Sequence, residues 1–312
     1  MDPLSSINIK KDSSFAMMLA AQKIGWEVHT IYQSDLYTDN DKAKAHSRTT
    51  RVEDNPQHWF DFTSEQDIEL SSLDVILMRK DPPFDIEYIA STYVLQLAEQ
   101  LGTLVVNRPA SLRDNNEKMF ITRFPQCCTP FLVSRSKSRL RDFVIQRFQE
   151  QQQDVILKPL DGMGGASIYR VNPDDPNLSV ILETVSQEES RMVMAQQFIP
   201  EISKGDKRVL LIDGEAIPYA LARVPASGET RGNLAAGGTG IGVELSERDR
   251  WICHQVGPVL KQQGILFAGI DIIGDYLTEI NITSPTCIRE LDQIYSLDIA
   301  GDLMRCIEQR LK

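Results

Sequence analysis

The stretch Asp154-Val-Ile-Leu-Lys-Pro-Leu-Asp-Gly-Met-Gly-Gly165 constrains this chain more than any other part of it. Residues 155–157 are an uninterrupted apolar run, which suits a strand covered on both faces. Lys158 then falls at the strand's end, and Pro159 stops the ladder because it has no N–H to donate. Gly162, Gly164 and Gly165 present backbone N–H groups with no side chain in the way, which is what a phosphate cradle requires. A lysine beside such a cradle adds a fixed positive charge. The order differs from a P-loop, where the lysine follows the glycines, and G-x-G-x-x-G is absent, so the pattern is no dinucleotide fingerprint. Residues 167–171 read as a further strand. By itself, a glycine segment of this kind is as readily a plain turn.

A second segment, Ile270-Asp-Ile-Ile-Gly-Asp-Tyr-Leu-Thr-Glu-Ile-Asn281, reads as a β-hairpin turning at Gly274-Asp275. Glu279 and Asn281 stand two apart on one strand and therefore share a face, with Asp271 on the partner strand. Two carboxylates and an amide oxygen are hard ligands of the kind Mg²⁺ takes while bridging phosphates. Taken separately, hairpin carboxylates are usually just solvated. Parity adds a condition. A two-residue turn at Gly274-Asp275 pairs Asp271 with Thr278 and sends Glu279 to the other face. Joint ligation therefore requires an odd-length loop or a bulge.

The rest of the chain supplies context. Residues 1–114 read as alternating strands and helices, hence a parallel sheet with helices. Ser13-Ser14 caps a helix ending near Gly25, strands follow at 27–32 and 73–78, Asp85 caps a helix to Leu101, and a strand occupies 103–106. The polar stretch 35–53 reads as a surface loop. Ser111-Leu-Arg-Asp114 resembles a capping box opening a helix that carries Lys118 into a second unit, 115–196. The third unit, 197–312, holds a hairpin at 207–224 about Asp213-Gly214, a glycine-rich segment at 225–242, a helix from Ser246, the oxygen-donor hairpin and a final helix near 298–311. Segment 225–242 has six glycines, at 228, 232, 237, 238, 240 and 242, too many for a strand or helix. Composition leaves open a plain flexible loop or an active-site lid.

A net charge of −11 argues against nonspecific nucleic-acid binding, which needs basic surface, but leaves small anionic ligands open. The five cysteines are an odd number without metal spacing, and the four histidines form no zinc motif; a reducing cytoplasm is the simplest reading. No apolar run approaches the ~18–20 residues of a membrane span, and no signal-peptide pattern opens the chain.

Five blocks spread along nearly the whole chain resemble the ATP-grasp superfamily and, within it, the bacterial glutathione synthetases. They are Asn8-Ile-Lys-Lys-Asp-Ser-Ser-Phe15, Met78-Arg-Lys-Asp-Pro-Pro-Phe-Asp85, Lys158-Pro-Leu-Asp-Gly-Met-Gly-Gly165, Gly228-Glu-Thr-Arg-Gly-Asn-Leu-Ala-Ala-Gly-Gly238 and Thr278-Glu-Ile-Asn-Ile-Thr-Ser-Pro-Thr-Cys-Ile-Arg-Glu290. The resemblance implies an N-terminal α/β domain followed by a two-subdomain α+β ATP-grasp fold, with ATP between the subdomains. The implied reaction condenses γ-glutamylcysteine with glycine through an acylphosphate, giving glutathione, ADP and phosphate in a cytoplasmic homotetramer. Another carboxylate–amine ligase, such as a dipeptide or glutamate ligase, is the nearest alternative. A noncatalytic ATP-binding protein of synapsin type is the other.

Residue roles follow from the resemblance. Lys118 and Lys158 would hold the α- and β-phosphates, and the amides of Gly162, Gly164 and Gly165 would cover the β- and γ-phosphates. Gln197, Phe198 and Ile199 would border the adenine, and Asp206 the ribose. Asp271, Glu279 and Asn281 would hold two Mg²⁺, or Mn²⁺. Arg208 and Arg223, facing each other across their hairpin, would steady the acylphosphate and the tetrahedral intermediate. Arg79 would meet a carboxylate of the peptide substrate, and Ser284, Thr286 and Arg289 the glycine. A structural salt bridge from Arg289 to Glu290 or Asp292 is the alternative. Arg231, the only cation in 225–242, would meet the anionic intermediate beneath a lid that is mobile until ligand binds. Met1-Asp2-Pro3 resembles the loop after the family's first strand, so that strand is expected to be missing.

Overall fold

A computed structural model describes residues 1–162, 165–226, 232 and 237–312. The N-terminal part runs α1 (Ser13–Lys23), β1 (His29–Thr30), β2 (Leu36–Asp39), β3 (Lys42–Val52), β4 (Phe60–Glu69), β5 (Val75–Leu77), α2 (Ile86–Gln100) and β6 (Leu104–Val106). The expected parallel sheet shrinks to one pair, β5 with β6, while β3 pairs antiparallel with β1, β2 and β4. The expected strand at 27–32 is reduced to His29–Thr30. Segment 35–53 is no loop. β3 buries Ala43, Ala45, Ser47, Thr50 and Val52, and a register shift between Thr49 and Thr50 interrupts the alternation. Small inward residues and a broken period leave little hydropathy signal to read. The caps at α1 and α2 are Asp12 and Asp85, each accepting from the backbone N–H three residues on.

The link to the next part also corrects the sequence reading. Pro109 opens α3 (Pro109–Asp114), so Ser111 lies inside that helix and donates to Gln263 O instead of capping. Lys118 stands beyond the helix, at the entrance to a short 3-10 turn, Met119–Arg123. Next come β7 (Phe131–Ser134), α4 (Lys137–Gln151), β8 (Val155–Pro159), β9 (Tyr169–Val171), α5 (Leu178–Ser186) and β10 (Val193–Gln197). Their antiparallel sheet has the order β7-β10-β8-β9. Val155 and Leu157 of β8, with Val193 and Ala195 of β10, pack against Leu140, Val144 and Leu182 of α4 and α5. Strand alternation sends Ile156, Lys158, Met194 and Gln196 to the opposite face.

The last part holds β11 (Asp206–Ile212), β12 (Glu215–Val224), β13 (Thr239–Glu244), α6 (Glu247–Gln262), β14 (Phe267–Ile273), β15 (Tyr276–Asn281), α7 (Ile288–Tyr295) and α8 (Ile299–Leu311). The sheet order is β13-β12-β11-β14-β15, all antiparallel. β13 corrects the expectation that 225–242 could hold no strand, because Gly240 and Gly242 pair with Arg223 and Leu221 of β12. A side chain at Gly242 would strike Tyr295 and Ile294, so glycine here lets α7 lie close on the strand. Val209, Leu211, Ile270 and Ile272 pack on Ile252, Val256 and Leu260 of α6, and Leu210, Ile212 and Leu221 pack on α7, α8 and α1.

Candidate active site

The polar side chains of the last sheet gather at one end of its Leu210–Ile212 face. Asp206 and Arg208 alternate in phase with Leu210, and Arg223 pairs with Asp206 across the ladder. The two arginines are thus offset diagonally, with Arg208 opposite Leu221, and do not stand opposite each other as expected. Both reach Asp271 on β14. Arg208 grips it through Nε to Oδ1 at 2.5 Å and Nη2 to Oδ2 at 2.9 Å, and Arg223 Nη2 lies 2.9 Å from Oδ2.

Of the two solutions that parity allowed, an odd-length loop or a bulge, the hairpin takes the bulge. Asp271 stands opposite Glu279 and Gly269 opposite Asn281, with a register shift between Asp271 and Ile272. Thr278 is the extra residue. Its Oγ1 donates to Asp271 O, and its own carbonyl accepts from Lys158 Nζ at 3.4 Å. The bulge therefore aligns three oxygen-bearing side chains on one face and turns a backbone carbonyl toward the lysine.

Lys118 and Lys158 are only 2% and 4% exposed. Their Nζ atoms lie 3.6 and 3.7 Å from Glu279 Oε1, which brings the glycine-loop strand and the hairpin into one cavity of about 310 Å³. Lys118 also bonds Glu117 and donates to Gly162 O at 2.6 Å. Burial pulls the Lys118 ammonium down, but Glu279 and Glu117 outweigh it and its pKa ends raised. Burial prevails at Lys158, whose pKa is lowered despite Glu279. Burial lifts the Asp206 carboxyl to about 6 against the pull of Arg223. At Asp271, also fully buried, Arg208 and Arg223 overcome that penalty and hold the carboxyl at about 2.

Of the residues expected here, Lys118, Lys158, Gly162, Gly165, Gln197, Phe198, Ile199, Asp206, Arg208, Arg223, Asp271, Glu279, Asn281, Ser284 and Thr286 line the cavity. Two do not. Arg79 is buried, with Nε donating to Ser14 Oγ and Nη2 to Pro285 O, so it braces the Ser284–Thr286 turn from behind. Arg289 lies over the Phe15 ring and donates to both oxygens of Asp54, a partner other than Glu290 or Asp292. Gly164, Arg231 and the rest of 227–231 and 233–236 lie outside the described residues. The sequence reading also passed over Glu117 and Gly232, which line the cavity; for Glu117 the signal was its place beside Lys118.

The cavity suits a nucleotide with a divalent cation. Among the described residues, Gln196 Nε2, Gln197 Oε1 and Asp206 Oδ1 are buried without a partner, leaving a donor and two acceptors for a polar ligand. Asn281 Nδ2 donates to Asp271 at 3.3 Å, so its carbonyl oxygen is the atom free for a cation. Asp271 is ionised but largely occupied by arginines, so Glu279 and Asn281 are the more available oxygen ligands. No cluster of three His, Cys, Asp or Glu able to hold a metal occurs among the described residues; the donor set here is two carboxylates and an amide.

Comparison with known proteins agrees with this geometry. The sequence pattern of the prokaryotic glutathione synthetase N-terminal domain matches residues 1–113, and that of the corresponding ATP-grasp domain matches 117–296. A glutathione synthetase of Pseudomonas putida is 60% identical over 312 residues, covering 100% of this chain and 97% of its own length. One from Vibrio vulnificus is 56% identical, with coverage of 100% and 96%. Among solved structures, the ATP-grasp ligase PsnB, complexed with a minimal precursor, Mg and ADP, aligns with a TM-score of 0.60 at 17% identity. That alignment covers 95% of this chain and 93% of PsnB, a likeness of fold.

Proposed function

The chain belongs to the prokaryotic glutathione synthetases, which are ATP-grasp ligases, and from that premise we propose how its cavity joins γ-glutamylcysteine to glycine. A carboxylate does not react with an amine in water until it is activated. The cysteinyl carboxylate attacks the γ-phosphorus of ATP, ADP departs, and an acylphosphate results. The glycine amine attacks its carbonyl, a tetrahedral intermediate collapses, and phosphate leaves. Such chemistry asks the protein chiefly for positioning and charge neutralisation.

Lys118 and Lys158 neutralise the α- and β-phosphates, and the backbone N–H groups around Gly162, Gly164 and Gly165 receive the β- and γ-phosphates. Phe198 and Ile199 wall the adenine, Gln197 borders its edge, and Asp206 Oδ1 accepts from a ribose hydroxyl. Glu279 and Asn281, with Asp271, hold Mg²⁺ or Mn²⁺, which supplies charge neutralisation at the transferring phosphoryl group. Arg208 and Arg223, anchored on Asp271, carry fixed donors toward the developing oxyanions. Ser284 and Thr286 meet the glycine carboxylate. Arg79 acts on this turn through Pro285 and not by touching substrate. Arg289 is proposed only as a brace through Asp54. Arg231 covers the intermediate, a role supported by sequence alone.

The observation that carries this reading is the bulged hairpin, which puts two carboxylates and an amide on one face and brings Glu279 to within 3.7 Å of two buried lysines. Three further parts of the reading rest on the family resemblance. These are division into units 1–114, 115–196 and 197–312, a homotetramer, and a cytoplasmic setting. Phosphate release measured with each substrate omitted in turn tests the function. Release should require ATP, Mg²⁺, γ-glutamylcysteine and glycine together, and equal release with other dipeptides or amines would reject it. Light scattering coupled to size exclusion decides the tetramer.

A further inference from the structure

The side chain of Asn107, 4% exposed, is placed where the oxygen-donor hairpin comes apart. It follows β6 in the N-terminal part, yet all its hydrogen bonds cross to the last sheet. Nδ2 donates to Phe267 O and Ile282 O, both at 2.7 Å, and Oδ1 accepts from Leu266 N at 2.8 Å and Phe267 N at 2.9 Å. Two donors and two acceptor sites are the whole capacity of an amide, and all four are used. The β14–β15 ladder ends at Gly269 with Asn281. Beyond that pair the amide of Asn107 replaces the ladder, tying Phe267 on one strand to Ile282 on the other.

We propose that Asn107 is a positioning residue for the metal-binding face, fixing Asn281 and the Thr283–Thr286 turn by clamping the strands where they diverge. Asn281 is directly bonded through the chain to Ile282, and Thr283, Ser284 and Thr286 line the cavity. Releasing Ile282 O frees the exit of β15 and lets the Asn281 carbonyl oxygen swing relative to Glu279. Aspartate cannot substitute, because it would turn an acceptor toward two carbonyl oxygens. The inference rests on the hairpin being the cation site, as proposed above.

The test is Mn²⁺ binding in the presence of a nonhydrolysable ATP analogue, followed by EPR, with thermal unfolding recorded alongside. Asn107→Ala should weaken Mn²⁺ by about tenfold or more, the range seen when groups that orient metal ligands are removed. Ser111→Ala is the control. It deletes the nearby bond to Gln263 O at 2.5 Å without touching the strands' exit, and should lower Tm while leaving Mn²⁺ affinity unchanged. If Asn107→Ala does not accumulate folded, Asn107→Gln takes its place and should show the same weakening, because its extra methylene moves the amide out of register. Wild-type Mn²⁺ affinity in the folded Asn107 variant, or equal weakening in Ser111→Ala, overturns the proposal. Failure of the wild-type protein to bind Mn²⁺ with the analogue overturns the cation site itself.

Discussion

Replacing Asp271 by asparagine keeps the shape of the side chain and removes the one charge shared by two buried arginines. The carboxyl is held at about 2 against an ordinary 3.8, and because the group is fully buried the shift translates directly into stability. At 1.36 kcal/mol per pKa unit, the difference is on the order of 2 kcal/mol. That figure compares protonated with ionised Asp271 and already includes the burial penalty. Asparagine does more harm than protonation, because its Nδ2 donors would face the guanidinium groups of Arg208 and Arg223. Breaking a buried pair from one side typically costs about 3–5 kcal/mol, so a loss in that range is expected for Asp271→Asn. Urea denaturation at pH 7.5, with m compared between proteins, measures it. The pH dependence supplies a second check with a definite sign. A carboxyl with a depressed native pKa contributes its stability above its unfolded value near 4 and loses it as pH falls through about 2. The variant should therefore lack that part of the acid-side decline. Adding Arg208→Met to Asp271→Asn should recover part of the loss, since one stranded charge disappears. A loss below about 1 kcal/mol at unchanged m would refute the view that this carboxylate anchors both arginines.

Lys158→Met removes a fully buried cation whose pKa is lowered chiefly by desolvation, so Tm should hold or rise. Affinity for an ATP analogue should meanwhile fall by about tenfold or more, near 1.4 kcal/mol; calorimetry showing unchanged affinity would remove Lys158 from the phosphate site. Asp206, lifted to about 6, binds a proton in the native state between roughly pH 4 and 6, so its contribution to folding becomes more favourable as pH falls across that window. Analogue affinity should weaken over the same window, and Asp206→Asn should flatten that pH profile; a profile unaltered by the substitution would exclude Asp206 as the ribose acceptor. Gly232→Ala would press a Cβ into the Arg223 carbonyl and within 3.2 Å of Asp206 Cβ. Displacement of about 1 Å beside the reacting groups should lower kcat/KM by about a hundredfold with little change in Tm, and steady-state kinetics showing near wild-type turnover would rule out that close approach.

The parts of the site legible in the sequence were those governed by counting. Alternation along β8 puts Lys158 opposite the packed Leu157, and no knowledge of the helices above was needed to say so. The Ser246 cap of α6, with Asp249 completing the box, and the Asp213-Gly214 turn, with φ of 51° and 83°, were legible for the same reason: a few local residues determine them. β3 was hidden because four of its five buried positions are alanine, serine or threonine, whose hydropathy hardly differs from that of a loop. The partners that Arg79 and Arg289 hold in the structure were not legible, because Pro285 and Asp54 are 206 and 235 residues away. An arginine's chemistry suits a substrate carboxylate and a structural acceptor equally, and only tertiary geometry chooses between them.

The oxygen-donor hairpin lies between these extremes. Its sequence fixed no coordinates, yet it imposed a choice: with the turn at Gly274-Asp275, either Asp271 faces away from Glu279 or one residue leaves the ladder. Thr278 leaves it, and what an unbroken ladder would lose shows why this is more than an irregularity. A regular pair would place Thr278 opposite Asp271, point Glu279 into the apolar layer beside Leu277, where an ionised carboxylate is costly, and turn Ile280 out onto the Asp271 face. The bulge avoids that burial, brings Glu279 to within 3.7 Å of Lys158, and leaves the Thr278 carbonyl free to accept from the same ammonium. One inserted residue therefore satisfies the hydrophobic layer, the lysine and the oxygen-donor face together; parity narrowed the choice to an odd-length loop or a bulge, and the hairpin takes the bulge.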